Sequence, residues 1–119
     1  MKLFAHVCMV SIGLSAMMAP IASALAEAGK ATRTVLAEDD KFVVFEIRQK
    51  PGEVNTPSTS GTRVIRALSG GTLLRTYADG KTEKSDWKTG EVQIQGPGPQ
   101  YTVKNVGTTE LVLYVVSPK

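Results

Sequence analysis

The sequence has little of the side-chain chemistry on which many catalytic and metal sites depend. Its only cysteine is Cys8 and its only histidine is His6. Both fall in an apolar N-terminal segment, so a chain that loses this segment has neither residue. Disulfides, thiolate nucleophiles, Ser-His-Asp triads and histidine metal sites would then be excluded.

The first 26 residues have the pattern of a secretory signal peptide. Lys2 precedes the apolar run 3–19, and Ala24-Leu25-Ala26 offers small residues at a cleavage site. A retained membrane anchor is the alternative. The apolar run, however, contains polar residues and is close to the lower length limit for crossing a bilayer. We therefore predict an exported protein, periplasmic or secreted, with no stable membrane insertion after signal cleavage.

The charge balance gives no indication of a nucleic-acid partner. The formal net charge is +3, and it falls by one when Lys2 is removed. The Lys and Arg residues form no run, and no basic stripe is interleaved with aromatic residues. Nucleic-acid binding depends on such concentrated positive charge. We therefore predict no nucleic-acid partner.

Short strands separated by turn residues account for the rest of the chain. Residues 42–48 are rich in β-branched and aromatic side chains, with Val43, Phe45 and Ile47 on one face. No segment longer than about eight residues shows helical periodicity. Turn residues recur along the chain, which is typical of an antiparallel sandwich or barrel. We predict a flexible N-terminal segment at 27–41 and one β-barrel domain at 42–117.

Two glycine-anchored patterns carry the most specific information. In the first, Gly52 is followed after five residues by Ser58, after one by Ser60, after three by Val64 and after six by Gly71. In the second, Gly90 is followed after five residues by Gly96, after one by Gly98, after two by Tyr101 and after three by Asn105. These spacings resemble the two motifs of the cupin superfamily, whose members are small jelly-roll barrels. The resemblance covers roughly residues 42–116 and implies an all-β, single cupin-type barrel after the signal peptide.

The resemblance extends to the backbone of the motifs but not to their metal ligands. The cupin motifs place three histidines and a glutamate where this chain has Ser58, Ser60, Val64 and Tyr101. Serine and tyrosine hydroxyls are poor ligands for transition metals, and valine is not a ligand. We therefore predict no metal and no cofactor, and metal-dependent activity is not carried over.

The same positions indicate a binding pocket. If the cupin register holds, Ser58, Ser60, Val64 and Tyr101 point into the barrel. Alternation then places Arg66 and Leu68 on the same inner face as Val64. Leu73, Arg75 and Tyr77 share a face that the sequence alone does not assign to the inside or the outside. The predicted ligand-binding residues are Ser58, Ser60, Arg66, Arg75, Tyr77 and Tyr101.

Three functions remain open at this point. The first is non-catalytic binding of a small anionic or polyhydroxylated ligand, since arginine recognises carboxylate and phosphate groups. The second is a metal-independent sugar isomerase or epimerase, for which Glu46 is a candidate base. Such cupins typically use a histidine, which the chain lacks after signal cleavage. The third is a structural or interaction module that uses the outer sheet. The cupin resemblance also implies a homodimer. We favour binding.

Overall fold

The computed structural model describes residues 29–119, which form strands, turns and loops without helices. The strands are β1 (Thr32–Glu38), β2 (Phe42–Gln49), β3 (Val54–Asn55), β4 (Arg63–Ser69), β5 (Gly71–Tyr77), β6 (Thr82–Trp87), β7 (Val92–Gln95), β8 (Tyr101–Asn105) and β9 (Leu111–Pro118). The prediction of an all-β fold is confirmed. The predicted signal peptide lies outside the described residues. In the part that is described, no helix long and apolar enough to cross a membrane is found.

The strands form two antiparallel sheets that enclose the core. One sheet has the order β1-β2-β9-β4-β7, and the other has the order β3-β8-β5-β6. On β4 and β8 buried and exposed side chains alternate, and the buried ones point between the sheets, as the period of two requires. The buried cluster includes Ile47, Ile65, Leu73, Trp87 and Val103. The central strand β9 pairs with both β2 and β4 and carries the most continuous apolar run.

Residues 32–38, within the segment 27–41 that the sequence predicts as flexible, form strand β1. All seven residues of β1 are exposed, so its hydrophobic pattern gives no signal. The strand pairs with the free edge of β2, with Val35 opposite Phe45. Asp39 closes the hairpin by accepting hydrogen bonds from the backbone N–H groups of Lys41 and Phe42, both at 2.8 Å. Edge pairing and this turn, not burial, form β1.

Strand β4 has the opposite inside-outside assignment to the one predicted. The side chains of Arg63, Ile65 and Ala67 are buried between the sheets. Val64, Arg66 and Leu68 are exposed on the outer face. The predicted inward orientation of Val64, Arg66 and Leu68 is therefore wrong. A shift of one residue reverses every side chain on a strand. The motif spacing places β4 in the chain correctly, but it does not give the face of the strand.

The motif glycines have different structural roles. Gly52 and Gly90 have positive φ angles of 86° and 88°, which non-glycine residues rarely adopt. Gly71 and Gly98 do not have positive φ. A Cβ on Gly71 would contact a leucine side chain at 3.4 Å, whereas a Cβ on Gly98 would meet no atom within 4 Å. A left-handed backbone conformation therefore accounts for glycine at Gly52 and Gly90 but not at Gly71 or Gly98.

Two buried side-chain amides, those of Gln49 and Asn105, join β2 to β8 through hydrogen bonds. Asn105 is 1% exposed, and its Nδ2 donates to the carbonyl oxygens of Gln49 at 2.8 Å and Thr109 at 2.9 Å. Its Oδ1 accepts from the backbone N–H of Gly107. The Gln49 amide donates in turn to the carbonyls of Glu53 and Val103. Because these bonds join β2 to β8, Asn105 is a structural residue of the second motif.

Candidate ligand-binding site

A cavity of about 360 Å³ lies between the two sheets. Its size is within the range of small-molecule sites, which is roughly 300–1,000 Å³. Strand register divides the lining into layers. Val43, Arg63 and Ser117 are at the open end, and Ile65 pairs with Val115 one layer deeper. Each strand therefore contributes one side chain per layer at a known depth.

Arg63 and Tyr101 join the two sheets at the open end. Arg63 is only 7% exposed, and its Nη2 donates to the Tyr101 hydroxyl at 3.1 Å and to Gln95 Oε1 at 3.1 Å. Its Nη1 makes a longer bond of 3.4 Å to the carbonyl of Gly61. A guanidinium group has five N–H donors, so these three bonds do not use all of them. Among residues 29–119, Arg63 forms no ion pair.

Tyr101 lies at the centre of the polar end of the cavity. The guanidinium carbon of Arg75 is 4.5 Å from the centre of the Tyr101 ring, in cation–π geometry. The ring of Tyr77 meets Tyr101 edge-on, with centroids 5.7 Å apart. Tyr101 therefore positions Arg75 by its face and Arg63 by its hydroxyl. A second recess of about 380 Å³ lies beside the loop 96–99, and it is bordered by Arg63, Arg75, Tyr77 and Tyr101.

The loop between β3 and β4 provides two hydroxyl groups to the cavity lining. Ser58 and Ser60 are exposed, and their Oγ atoms are 3.2 Å apart. Both residues line the cavity. The two hydroxyls are hydrogen-bonded to each other, and because a hydroxyl can rotate, both could turn to donate to a ligand oxygen instead.

A third arginine reaches the cavity from the edge strand. Arg33 on β1 is exposed, and its guanidinium carbon lies 4.1 Å from the centre of the Phe45 ring. Both side chains line the cavity. The aromatic face holds the cation beside the opening without neutralising its charge.

The electrostatic character of the lining follows from these side chains. Arg33, Arg63 and Arg75 contribute to it, and none of the described lining residues is Asp or Glu. Glu46, the carboxylate considered as a base, is on the opposite face of β2 from Phe45 and Ile47. Its Oε1 accepts from Arg48 at 2.8 Å. The cavity is therefore a positive recess suited to an anion.

Below this polar end the lining is hydrocarbon. The deeper residues include Ile65, Leu73, Val103, Val115 and Trp87, and all five are buried. Two amides also line the cavity near this depth: Asn55 lies opposite Val103, and the Gln49 Nε2 already donates to two carbonyls. The lower part of the cavity therefore offers mainly hydrocarbon contact area, with Asn55 as its available polar side chain.

The structure brings together five of the six predicted ligand-binding residues. Ser58, Ser60, Arg75 and Tyr101 line the main cavity, and Tyr77 lines the adjoining recess. Arg66 lies on the outer face, away from both. Arg33 and Arg63 also line the cavity, and neither is among the predicted ligand-binding residues. One pattern in the sequence could have indicated a buried Arg63. Arg63 lies two residues before Ile65 and four before Ala67, so on a strand it shares a face with two apolar residues.

The residues at the cupin metal-ligand positions do not fit a metal ion. Val64 points outward, and the Tyr101 oxygen accepts a hydrogen bond from a permanently charged guanidinium 3.1 Å away. A metal cation at this oxygen would be repelled by Arg63. No group of three or more His, Cys, Asp or Glu side chains suited to a metal ion occurs in the described range 29–119.

Comparison with solved structures places this architecture in a known group. A cupin domain from Bordetella pertussis Tohama I superposes with a TM-score of 0.68 and 25% sequence identity, covering 76% of this chain and 95% of that one. The described part of this chain, residues 29–119, is a cupin barrel. An RmlC-like cupin family protein with a double-stranded β-helix fold from Methanocaldococcus jannaschii gives a TM-score of 0.58 at 15% identity, covering 77% of this chain and 83% of that one.

Another solved structure is similar to this chain in fold alone. The polyketide cyclase RemF from Streptomyces resistomycificus has a TM-score of 0.57 and 22% identity, covering 75% of this chain and 65% of that one. No protein-family model matches the sequence, and no curated protein matches it. The cupin fold is therefore established by three-dimensional similarity, and the chemistry of the cavity must be argued from its own residues.

Proposed function

We propose that the protein is an exported cupin that binds a small anionic ligand in the barrel cavity without catalysing a reaction. The observation that carries this proposal is the buried guanidinium of Arg63, which has no carboxylate partner among residues 29–119. Burying a charge without a counter-charge costs several kcal/mol. A ligand carboxylate or phosphate would supply the missing negative charge and accept the N–H donors that Tyr101 and Gln95 leave free.

The surrounding groups support an anion more strongly than a neutral sugar. Arg75 lies against Tyr101, one layer from Arg63, and forms no ion pair among the described residues. Ser58 and Ser60 add hydroxyl donors at the lining. A polyhydroxylated ligand would need acceptors as well as donors, and arginine offers donors only. We therefore assign the primary recognition to the arginines and the secondary contacts to the serines.

The cellular setting of this proposal comes from the N-terminal pattern. Residues 1–26 resemble a signal peptide, which supports binding in the periplasm or outside the cell. A protein in this setting would meet small acids from the medium directly. We propose no nucleic-acid partner and no cofactor.

An interaction role is the second candidate, and one surface favours it. Register aligns Val44, Val116, Val64 and Ile94 across four strands of the larger sheet, on its outer face. Val64 is 41% exposed and Ile94 is 73% exposed. An exposed apolar row of this kind supports a homodimer or contact with another protein. The isomerase alternative has no comparable support, because Glu46 is paired with Arg48 on the outer face.

A thermal-shift screen tests the binding proposal. The panel contains organic acids, phosphate esters, neutral sugars and divalent metals, with a chelator control and constant ionic strength. A ligand at a hundred times its dissociation constant adds about 2.7 kcal/mol of stability. For a domain of this size we expect an increase in Tm on the order of ten degrees. The increase should be lost in Arg75→Met and kept in Arg48→Met. Stabilisation by metals alone, or by no anion, would contradict the proposal.

A further inference from the structure

The depth of each lining residue gives the cavity a polarity gradient. The inner positions of β2, β9 and β4 align in three layers. From the open end these are Val43, Ser117 and Arg63, then Phe45, Val115 and Ile65, then Ile47, Leu113 and Ala67. On the facing sheet, Tyr77 pairs with Tyr101, Arg75 with Val103, and Leu73 with Asn105. The charged and hydroxyl groups therefore belong to the first two layers, with Arg75 in the second layer opposite Val103, and hydrocarbon dominates the third layer.

The second and third layers are mostly hydrocarbon, and they would disfavour a hydroxylated ligand body. Ile65, Leu73 and Val103 offer no hydrogen-bonding side-chain atoms, and each is less than 9% exposed. Two amides border these layers: Asn55 lies opposite Val103, and Gln49 holds two backbone carbonyls through its Nε2. A ligand hydroxyl placed against Ile65 or Leu73 would lose its water partners with little replacement. An apolar group would instead fill the space and remove hydrocarbon surface from water.

We propose that the ligand is an amphipathic monocarboxylate with an aryl or short alkyl body. Its carboxylate would meet Arg63 and Arg75, and its body would lie against Ile65, Val103 and Trp87. This inference rests on the proposed function, because it requires the anion site. The cavity of about 360 Å³ has the volume of roughly a dozen water molecules. This volume suits one ring or a short chain rather than a long acyl group.

Trp87 provides a direct reporter of the ligand body. It is the only tryptophan in the chain, it is 5% exposed and it lines the cavity. The test titrates phenylacetate, gluconate and 2-phenylethanol into the protein at fixed ionic strength, and follows Trp emission together with calorimetric heat. Phenylacetate and gluconate carry the same charge on different bodies. Phenylacetate and 2-phenylethanol share a body and differ in charge.

We expect phenylacetate to bind at least tenfold more tightly than either of the other two compounds, with a saturable change in Trp87 emission. Tighter binding of gluconate would overturn the inference and leave the anion site intact. Equal binding of 2-phenylethanol and phenylacetate would overturn the proposed function, since charge would then contribute nothing. Binding of neither acid would overturn both.

A near-isosteric pair of variants tests the position of the ligand body. Val103→Thr places a hydroxyl in the second layer of the cavity wall at almost constant volume, and Val64→Thr makes the same change on the outer face. We expect the first to weaken phenylacetate binding at least fivefold and the second to leave it unchanged. Equal affinities in the two variants would overturn the assignment of the body to these layers. The wild-type competition above decides the proposal even if Val103→Thr fails to fold.

Discussion

Replacing Arg63 with methionine should remove anion binding without destabilising the empty protein. The side chain is 7% exposed and has no carboxylate partner among residues 29–119. If Arg63 binds an anion, the stability of the protein without ligand is lowered by the full free-energy cost of desolvating this charge. A functional residue of this kind is expected to cost stability.

The magnitude follows from what the substitution removes. Methionine loses the two 3.1 Å bonds to Tyr101 and Gln95 and the 3.4 Å bond to Gly61. At about 1 kcal/mol each, these bonds contribute roughly 2–3 kcal/mol. The desolvation of an unpaired charge is several kcal/mol and has the opposite sign. We expect the net change to lie between zero and a gain of about 2 kcal/mol, or up to roughly 15 °C in Tm.

Arg66→Met is the matched control, because it removes the same charge from the same strand on the outer face. We expect its free energy of unfolding to stay within about 0.5 kcal/mol of the wild type. Urea unfolding measures both variants, with equal m-values as the check that the transition is unchanged. Calorimetric titration with the best anion of the panel should show a 10- to 150-fold loss for Arg63→Met, since a bond to a charged group contributes about 1.5–3 kcal/mol.

A destabilisation of Arg63→Met by more than about 2 kcal/mol would refute this reasoning. It would mean that the Arg63–Tyr101 bond is mainly a structural link between the sheets. Equal anion affinities in Arg63→Met and Arg66→Met would refute it as well, because position in the fold would then not matter.

Three further predictions concern the fold. Asn105→Ala should lower the free energy of unfolding measured in urea by about 2–4 kcal/mol, because it leaves buried backbone groups without hydrogen-bond partners. A change below about 1 kcal/mol would contradict the bridging role of Asn105. Gly70→Ala should cost about 1–3 kcal/mol, because a Cβ there would overlap the main chain at the end of β6, whereas Gly98→Ala should be near neutral. Backbone hydrogen bonds, chiefly that from the N–H of Phe42 and then that from Lys41, lower the pKa of Asp39 below its usual value of 3.8. The ionised carboxylate therefore stabilises the fold above that pH, and this contribution is lost as the pH falls through the lower pKa of the folded state. Urea midpoints between pH 5 and pH 2 should therefore fall more in the wild type than in Asp39→Asn, and parallel curves would contradict this.

The sequence predicts the architecture well, because strand patterns and turn residues are local. The spacing from Gly52 to Gly71 and from Gly90 to Asn105 identifies the cupin barrel, which the structure confirms. Gly52 and Gly90, the first residues of the two patterns, have positive φ angles that non-glycine residues rarely adopt. These features depend on backbone conformation, which short patterns specify directly.

The site was harder to predict, because it depends on register and on edge pairing. A shift of one residue in β4 exchanges Arg66 for Arg63, and both faces of this strand contain apolar residues, so hydrophobicity does not choose between them. Arg33 is on a strand whose residues are all exposed, so no burial pattern predicts it. The aromatic contacts of Arg33 and Arg75 join residues that are distant in sequence. Only the assembled sheets show that these cations share one cavity.

The most direct test of the central claim is the ¹⁵N NMR spectrum of the arginine Nε–H groups during titration with phenylacetate. The described residues contain five arginines, Arg33, Arg48, Arg63, Arg66 and Arg75. We predict a saturable shift of the Arg63 signal, accompanied by Arg75, while Arg48 and Arg66 stay unchanged. Small, parallel and unsaturable shifts of all five signals, or no shift of Arg63, would contradict the claim that this buried arginine binds the ligand.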